Sequence, residues 1–198
     1  QRNSTAADAC EWASLTNPGE IEAIHRAYRA AGCMALKTNT YAVNRLRMPE
    51  ADCRALIRAA CDIARRAADG AFVFAAIGPI PEQDARDLLA EYRFVADCFL
   101  NLGIRHFLFE THSTDLYLHE TAEYIRTRDP DAFIIVSFNV QPDGFTSAGR
   151  LIQDLCRSVA DDPNVDAVGM NCMTTARHMV DLLRRIGPLG KPLSVMPN

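Results

Sequence analysis

The sequence lacks several patterns that would place it at once in a class of protein. Its seven cysteines include no CxxC pair, and an odd number of them is typical of reduced thiols rather than of a disulfide framework. No apolar run approaches the roughly 18 residues of a membrane span. The net charge of −4 disfavours a protein that coats nucleic-acid phosphates. We therefore expect a cytoplasmic protein with neither a membrane nor a nucleic-acid partner.

The composition that is present is typical of a folded chain. Apolar residues make up 48% of the 198 residues and charged residues 23%, which excludes disordered and collagen-like classes. The sequence opens on Gln1-Arg2-Asn3, with no initiator Met and no apolar signal core. We expect these residues to be part of a longer chain.

Helical and strand-like patterns alternate along the sequence. Apolar residues recur at helical spacing over residues 18–31, 50–68, 83–102, 115–127, 147–160 and 175–186. Short apolar runs cover residues 33–36, 71–77, 106–109, 132–138, 165–170 and 191–196. Regular units of one strand and one helix predict a parallel sheet with crossover helices.

Two architectures fit such units, a doubly wound open sheet and a closed barrel. No GxGxxG or GxxxxGK[ST] follows any of the strands, so the usual phosphate loop of the open sheet is missing. Eight units of this length would total about 250 residues, the usual size of a barrel. We predict a parallel (βα)8 TIM barrel, with six of its eight strands within a single, incomplete domain over residues 1–198.

In either architecture the chemistry lies where the strands end. The predicted exits carry one carboxylate, one thiol, one imidazole and several amides, with no second carboxylate and no lysine for a Schiff base. These exit residues are Thr38, Asn39, Thr40, Gly78, Pro79, Glu110, Thr111, His112, Asn139, Asn171, Cys172 and Asn198.

Each candidate also has a structural interpretation. Cys172 lies beyond its apolar run, which favours a site over a core position. Glu110 fits a site and an internal salt bridge equally well, because an unpaired half-buried carboxylate is costly. His112 is expected to be a solvated loop residue. The asparagines at the exits fit helix caps or turns as well as a site.

Taken in order, the exits resemble the homocysteine S-methyltransferase family. GCMALKTNTYAVNR at 32–45 resembles that family's GAD…ETNTFGANR, and AIGP at 76–79 resembles its SIGP. Further matches are Glu110-Thr111 to ET, residues 137–149 to SFT…DGRT…G, GMNC at 169–172 to GxNC, and Pro197-Asn198 to the start of PNAG. The motifs span essentially all 198 residues in the family's order.

The resemblance implies a (βα)8 barrel that transfers a methyl group to the thiol of homocysteine with zinc, forming methionine. It assigns Cys172 to the metal, beside an adjacent cysteine pair near the eighth strand that has no counterpart here, and Glu110 to the substrate ammonium. Asn171 would orient Cys172 or bind the substrate carboxylate. Thr38 and Asn39 would line the pocket. Lys37 stands where the family has Glu, so no carboxylate role applies there.

The sequence leaves the methyl donor open. Methylcobalamin or methyltetrahydrofolate would be presented by cobalamin or folate domains of a multidomain methionine synthase, whereas S-methylmethionine or betaine would serve a stand-alone enzyme. The alternative is a barrel-derived ligand-binding or interaction module without metal catalysis, favoured by the absent cysteine pair. A barrel lyase or aldolase is disfavoured, because it would need the exit lysine that is missing.

Overall fold

The computed structural model describes residues 10–82 and 87–197. Its helices are a short 3₁₀ turn, Cys10–Trp12, followed by α1 (Ala13–Thr16), α2 (Pro18–Ala30), α3 (Glu50–Ala68), α4 (Leu88–Leu100), α5 (Leu118–Arg128), α6 (Ile152–Ala160) and α7 (Ala176–Ile186). Its strands are β1 (Ala35–Lys37), β2 (Phe72–Ile77), β3 (His106–His112), β4 (Phe133–Asn139), β5 (Ala167–Asn171) and β6 (Leu193–Met196). The strands follow one another in the sheet in chain order.

The chain divides into two compact units, Gln1–Phe107 and Leu108–Asn198. In the first unit β1 pairs with β2 in parallel, with Ala35 opposite Phe72 and Lys37 opposite Phe74. His106, at the start of β3, packs its ring 5.0 Å from that of Phe72 and 5.2 Å from that of Phe74. Aromatic side chains thus join the beginning of β3 to β2.

The long helix α3 buries one apolar face in the first unit. Its interior has no Gly or Pro and is rich in Ala, the best helix former. The helix ends at Ala68, and the next residue, Asp69, lies in the left-handed region at φ 43° and is followed by Gly70. The buried face repeats every three or four residues: Cys53, Leu56, Ile57, Ala60, Cys61, Ile63, Ala64, Ala67 and Ala68.

In the second unit β4 pairs with β5, and β5 with β6, all in parallel. The register places Ser137 opposite Gly169 and Asn139 opposite Asn171. Every residue of β5 is buried, which explains its continuous apolar run, since a parallel strand is covered on both faces. The register also brings the polar ends of β4 and β5 side by side.

The predicted order of strands and helices is confirmed. The predicted start of α6 at residue 147 is wrong, because Phe145 and Leu151 form an antiparallel bridge around Gly149, which has a φ of 72°. The helix begins only at Ile152. The predicted start of the 83–102 helix falls on residues 83–86, which lie outside the described residues, as does Asn198. Among the described helices, none combines the length and apolarity needed to cross a membrane.

Candidate functional site

The end of β5 has an unusual backbone. Asn171 is the last residue of the strand, and the N–H of Cys172 still donates to the carbonyl of Met196 in β6 at 3.1 Å. Cys172 and Met173 both have a φ of 61°, in the left-handed region that residues other than glycine rarely adopt. Each such residue costs about 1–3 kcal/mol and persists only where its surroundings hold it. This strained turn places the Cys172 thiol just beyond the sheet.

The side chain of Asn171 is 1% exposed and uses its complete hydrogen-bonding capacity. Its Oδ1 accepts from the N–H of Thr111 at 3.0 Å and from the Ser137 hydroxyl at 2.7 Å. Its Nδ2 donates to Thr111 Oγ1 at 2.7 Å and to Cys172 Sγ at 3.2 Å. An amide offers two acceptor and two donor positions, so all four are filled by protein groups.

Thr111, near the end of β3, belongs with Ser137, Asn171 and Cys172 to one cluster of hydrogen-bonded residues. Its φ of 65° is also left-handed, and the Asn171 amide holds both its backbone N–H and its hydroxyl. Its carbonyl accepts from Asn139 Nδ2 at 3.0 Å, and Asn139 Oδ1 accepts from the N–H of Ser147 at 2.8 Å. Asn139 therefore ties the end of β3 to the loop that follows β4.

The polar groups at the Cys172 sulfur are suited to a thiolate. Asn171 Nδ2 donates to it, and the Thr111 hydroxyl lies 4.0 Å away, with its oxygen already accepting from Asn171 and its hydrogen free to donate to sulfur. A thiolate is the form of cysteine that binds zinc. The donor set at Cys172 thus fits one metal ligand. Within the described residues no group of three or more His, Cys, Asp or Glu side chains is arranged to hold a metal.

Four of the other cysteines differ from Cys172 in burial. All seven thiols are free, and four are buried. Burial raises the pKa of Cys53, Cys61 and Cys156 to about 12, so these thiols remain protonated. Burial also raises the pKa of Cys98. Structural cysteines of this kind are inert, whereas Cys172 is partly exposed.

Two further exit residues of β3 are buried. Glu110 is 5% exposed, and a carboxylate at that depth requires hydrogen-bonding or charged partners. His112 is 3% exposed, with its ring edge-on to Phe109 at 6.0 Å. The expectation that His112 lies in a solvated loop is wrong, because β3 continues three residues past the apolar run that predicted it.

Thr38 and Asn39 belong to the first unit, and their described contacts lie within it. Thr38 Oγ1 accepts from the N–H of Ala76 at 3.1 Å and is 2.7 Å from the Thr40 hydroxyl, so it extends the pairing of β1 with β2. Asn39 Nδ2 donates to the carbonyl of Cys10 at 2.8 Å. The pocket-lining role of both residues stays a prediction.

Two members of the cluster, Thr111 and Ser137, had no predicted role. Ser137 is fully buried and interrupts the apolar run of β4, and its neighbour across the sheet is Gly169. A polar residue within a buried strand needs a partner. Ser137 was thus visible as an anomaly in the sequence, although its partner Asn171 was not.

Comparison with known proteins gives concordant results. A family model described as homocysteine S-methyltransferase matches residues 1–198. The methionine synthase of Mycobacterium leprae (strain TN) is 29% identical over 206 residues, and that of Mycobacterium tuberculosis (strain ATCC 25618 / H37Rv) is 28% identical. Each alignment covers 92% of this chain and 17% of the relative. The chain therefore spans about a sixth of the length of these relatives.

Among solved structures, the homocysteine methyltransferase MmuM from Escherichia coli is similar. Its metallated form has a TM-score of 0.79 and 22% identity, covering 100% of this chain and 78% of that one. Its oxidized form has a TM-score of 0.77 and 21% identity, with coverage of 100% and 77%. At this identity the similarity shows the fold, and the predicted barrel-type α/β fold is confirmed.

Proposed function

Because the chain belongs to the homocysteine S-methyltransferase family, we propose that it transfers a methyl group to the thiol of homocysteine to form methionine, using zinc held in part by Cys172. Membership confirms the family predicted from the strand exits. The observation that carries the zinc proposal is the Cys172 sulfur itself, partly exposed on a strained turn and hydrogen-bonded by Asn171.

Bound zinc would offer a coordination position in which the homocysteine sulfur binds as a thiolate. The thiolate is the nucleophilic form of a thiol, whose free pKa is about 8.5. Cys172 would hold the metal together with ligands outside the described residues. In support of a metal, one solved form of the related E. coli enzyme is metallated. Turn strain and the Asn171 bond would fix the direction of the ligand.

Glu110 would bind the other end of the substrate. Homocysteine carries an ammonium group, and a carboxylate at 5% exposure makes a much stronger bond to a cation than a solvated carboxylate does. Glu110 and Thr111 are neighbours on β3, and Thr111 is bound to Asn171, the residue before Cys172. The ammonium-binding and sulfur-binding residues would therefore belong to one connected part of the second unit. Thr38 and Asn39 remain proposed as pocket residues of the first unit.

The proposal for the methyl donor depends on whether this chain is one domain of a longer protein. Two relatives of similar sequence are methionine synthases roughly six times longer than the aligned region. We therefore favour one domain of a multidomain methionine synthase, with methylcobalamin or methyltetrahydrofolate presented by other domains. The seven free thiols are in keeping with a cytoplasmic location.

The test is a zinc assay on the full-length protein with Cys172→Ala and, as a matched control, Cys33→Ala, which removes another partly exposed thiol. We expect zinc to be stoichiometric in the parent and in Cys33→Ala, and to be lost, together with homocysteine methylation, in Cys172→Ala. Stoichiometric zinc in Cys172→Ala would remove this residue from the site. A parent protein that neither binds zinc nor methylates homocysteine would favour the alternative, a binding module without metal catalysis.

A further inference from the structure

The Asn171 amide has no hydrogen-bonding position left for a substrate. The backbone N–H of Thr111 can only donate, which fixes Oδ1 on that side and therefore directs Nδ2 to Thr111 Oγ1 and Cys172 Sγ. The Ser137 hydroxyl occupies the remaining lone pair of Oδ1. A substrate carboxylate could reach Nδ2 only by displacing one of these protein groups.

The same amide joins two strained backbone segments. On one side it binds Thr111, with a φ of 65°, and on the other it binds the sulfur of Cys172, with a φ of 61°. Residues in this region persist where the surroundings over-determine them. Three hydrogen bonds hold Thr111 in its left-handed conformation. Asn171 makes two of them, and Asn139 makes the third by donating to the Thr111 carbonyl.

We propose that Asn171 is a positioning residue that acts through Cys172: its amide fixes the sulfur in the direction needed by the metal and locks Thr111 beside it. This inference rests on the proposed function, because it assumes that Cys172 is a zinc ligand. Side chains that orient a metal ligand typically contribute about 10- to 100-fold to metal affinity. Asn171 would thus act on the metal and not by direct contact with homocysteine.

The test compares zinc affinity and homocysteine binding in full-length Asn171→Asp. This change keeps the shape of the side chain but replaces the donor at sulfur by a carboxylate oxygen, which repels a thiolate. Zinc affinity is measured by competition with a chromogenic chelator, and ligand geometry by the sulfur-to-metal absorption of the Co²⁺-loaded protein. We expect zinc affinity to fall about 10- to 100-fold and the Co²⁺ spectrum to shift.

Variants of the two neighbours provide the controls. Ser137→Ala removes a bond to Oδ1 and leaves the bond to sulfur, so its loss of zinc affinity should be smaller than that of Asn171→Asp. Thr111→Ser keeps the hydroxyl that Asn171 binds and should retain parental zinc affinity, whereas Thr111→Val removes the hydroxyl and should not. If Asn171→Asp does not fold, as judged by circular dichroism, the Thr111 pair carries the test.

Two outcomes separate this inference from the proposed function. If Cys172→Ala keeps stoichiometric zinc, the proposed site itself is wrong. If Cys172→Ala loses zinc while Asn171→Asp keeps parental zinc affinity and an unchanged Co²⁺ spectrum, but binds homocysteine more weakly in calorimetry, the site stands. Asn171 is then a substrate-binding residue and the positioning role is refuted. Equal zinc affinity in Thr111→Ser and Thr111→Val would refute it as well.

Discussion

Replacing Gly169 by Ala should destabilise the protein through a single methyl group. Gly169 lies within β5, and a Cβ there would lie 2.8 Å from the carbonyl oxygen of Ser194 and 3.0 Å from Ser137 Oγ. The first contact is with the backbone of the paired strand β6, which cannot rotate away. The second contact is with the hydroxyl that donates to Asn171.

The size of the effect follows from these two contacts. Inserting one carbon into a well-packed core costs about 1–3 kcal/mol. Displacing the Ser137 hydroxyl loses a buried hydrogen bond, which contributes about 1 kcal/mol. We therefore expect the free energy of unfolding of Gly169→Ala to fall by about 2–4 kcal/mol, equivalent to a melting temperature lower by about 4–16 °C in a chain of this size.

The assay is urea and thermal unfolding followed by circular dichroism, with Gly19→Ala as the matched control. Gly19 lies in the first turn of α2 with no atom within 4 Å of a Cβ, so the same substitution there should be neutral or stabilising by up to about 1 kcal/mol. A Gly169→Ala protein within about 0.5 kcal/mol of the parent would refute the close contact with Ser194. So would equal losses at both glycines.

Two further predictions concern titratable groups. Glu110→Gln should keep zinc but weaken homocysteine binding about 10- to 150-fold in calorimetry, the equivalent of about 1.5–3 kcal/mol for a charge-assisted hydrogen bond; unchanged affinity would make the carboxylate structural. Burial lowers the pKa of His25 below its ordinary 6.5, so the unfolded state binds more protons and stability is lost as pH falls below that value. His25→Gln should flatten the fall in unfolding free energy between about pH 7 and 5; a fall as steep as that of the parent would contradict this cause.

The order of elements was predictable because it depends on local periodicity. The β5 and α3 patterns were clear because one is buried on both faces and the other on a single stripe. The start of α6 was not predictable, since the bridge between Phe145 and Leu151 lies within a segment whose apolar spacing also fits a helix. Local periodicity does not predict tertiary pairings of this kind.

The candidate site also contains residues that the sequence predicts and residues that it does not. Cys172 and Glu110 stood out because each follows an apolar run, and strand ends are where parallel sheets carry their chemistry. The amide cluster was hidden because its members are far apart in the chain, 34 residues from Ser137 to Asn171 and 60 from Thr111 to Asn171. Only the register of the sheet brings them together.

That separation has a consequence for how the site comes into being. The four hydrogen bonds of Asn171 join groups from β3, β4 and the end of β5, so they can all form only in a segment that includes all three strands. Contacts that close long loops form only after the entropy of loop closure has been overcome. The sulfur of Cys172 therefore gains its orientation only when three strands are in register, and an ion that needs this orientation would bind folded molecules alone. Metal binding would then stabilise only the chains whose strands pair in the correct register, and chains with misaligned strands would stay without metal.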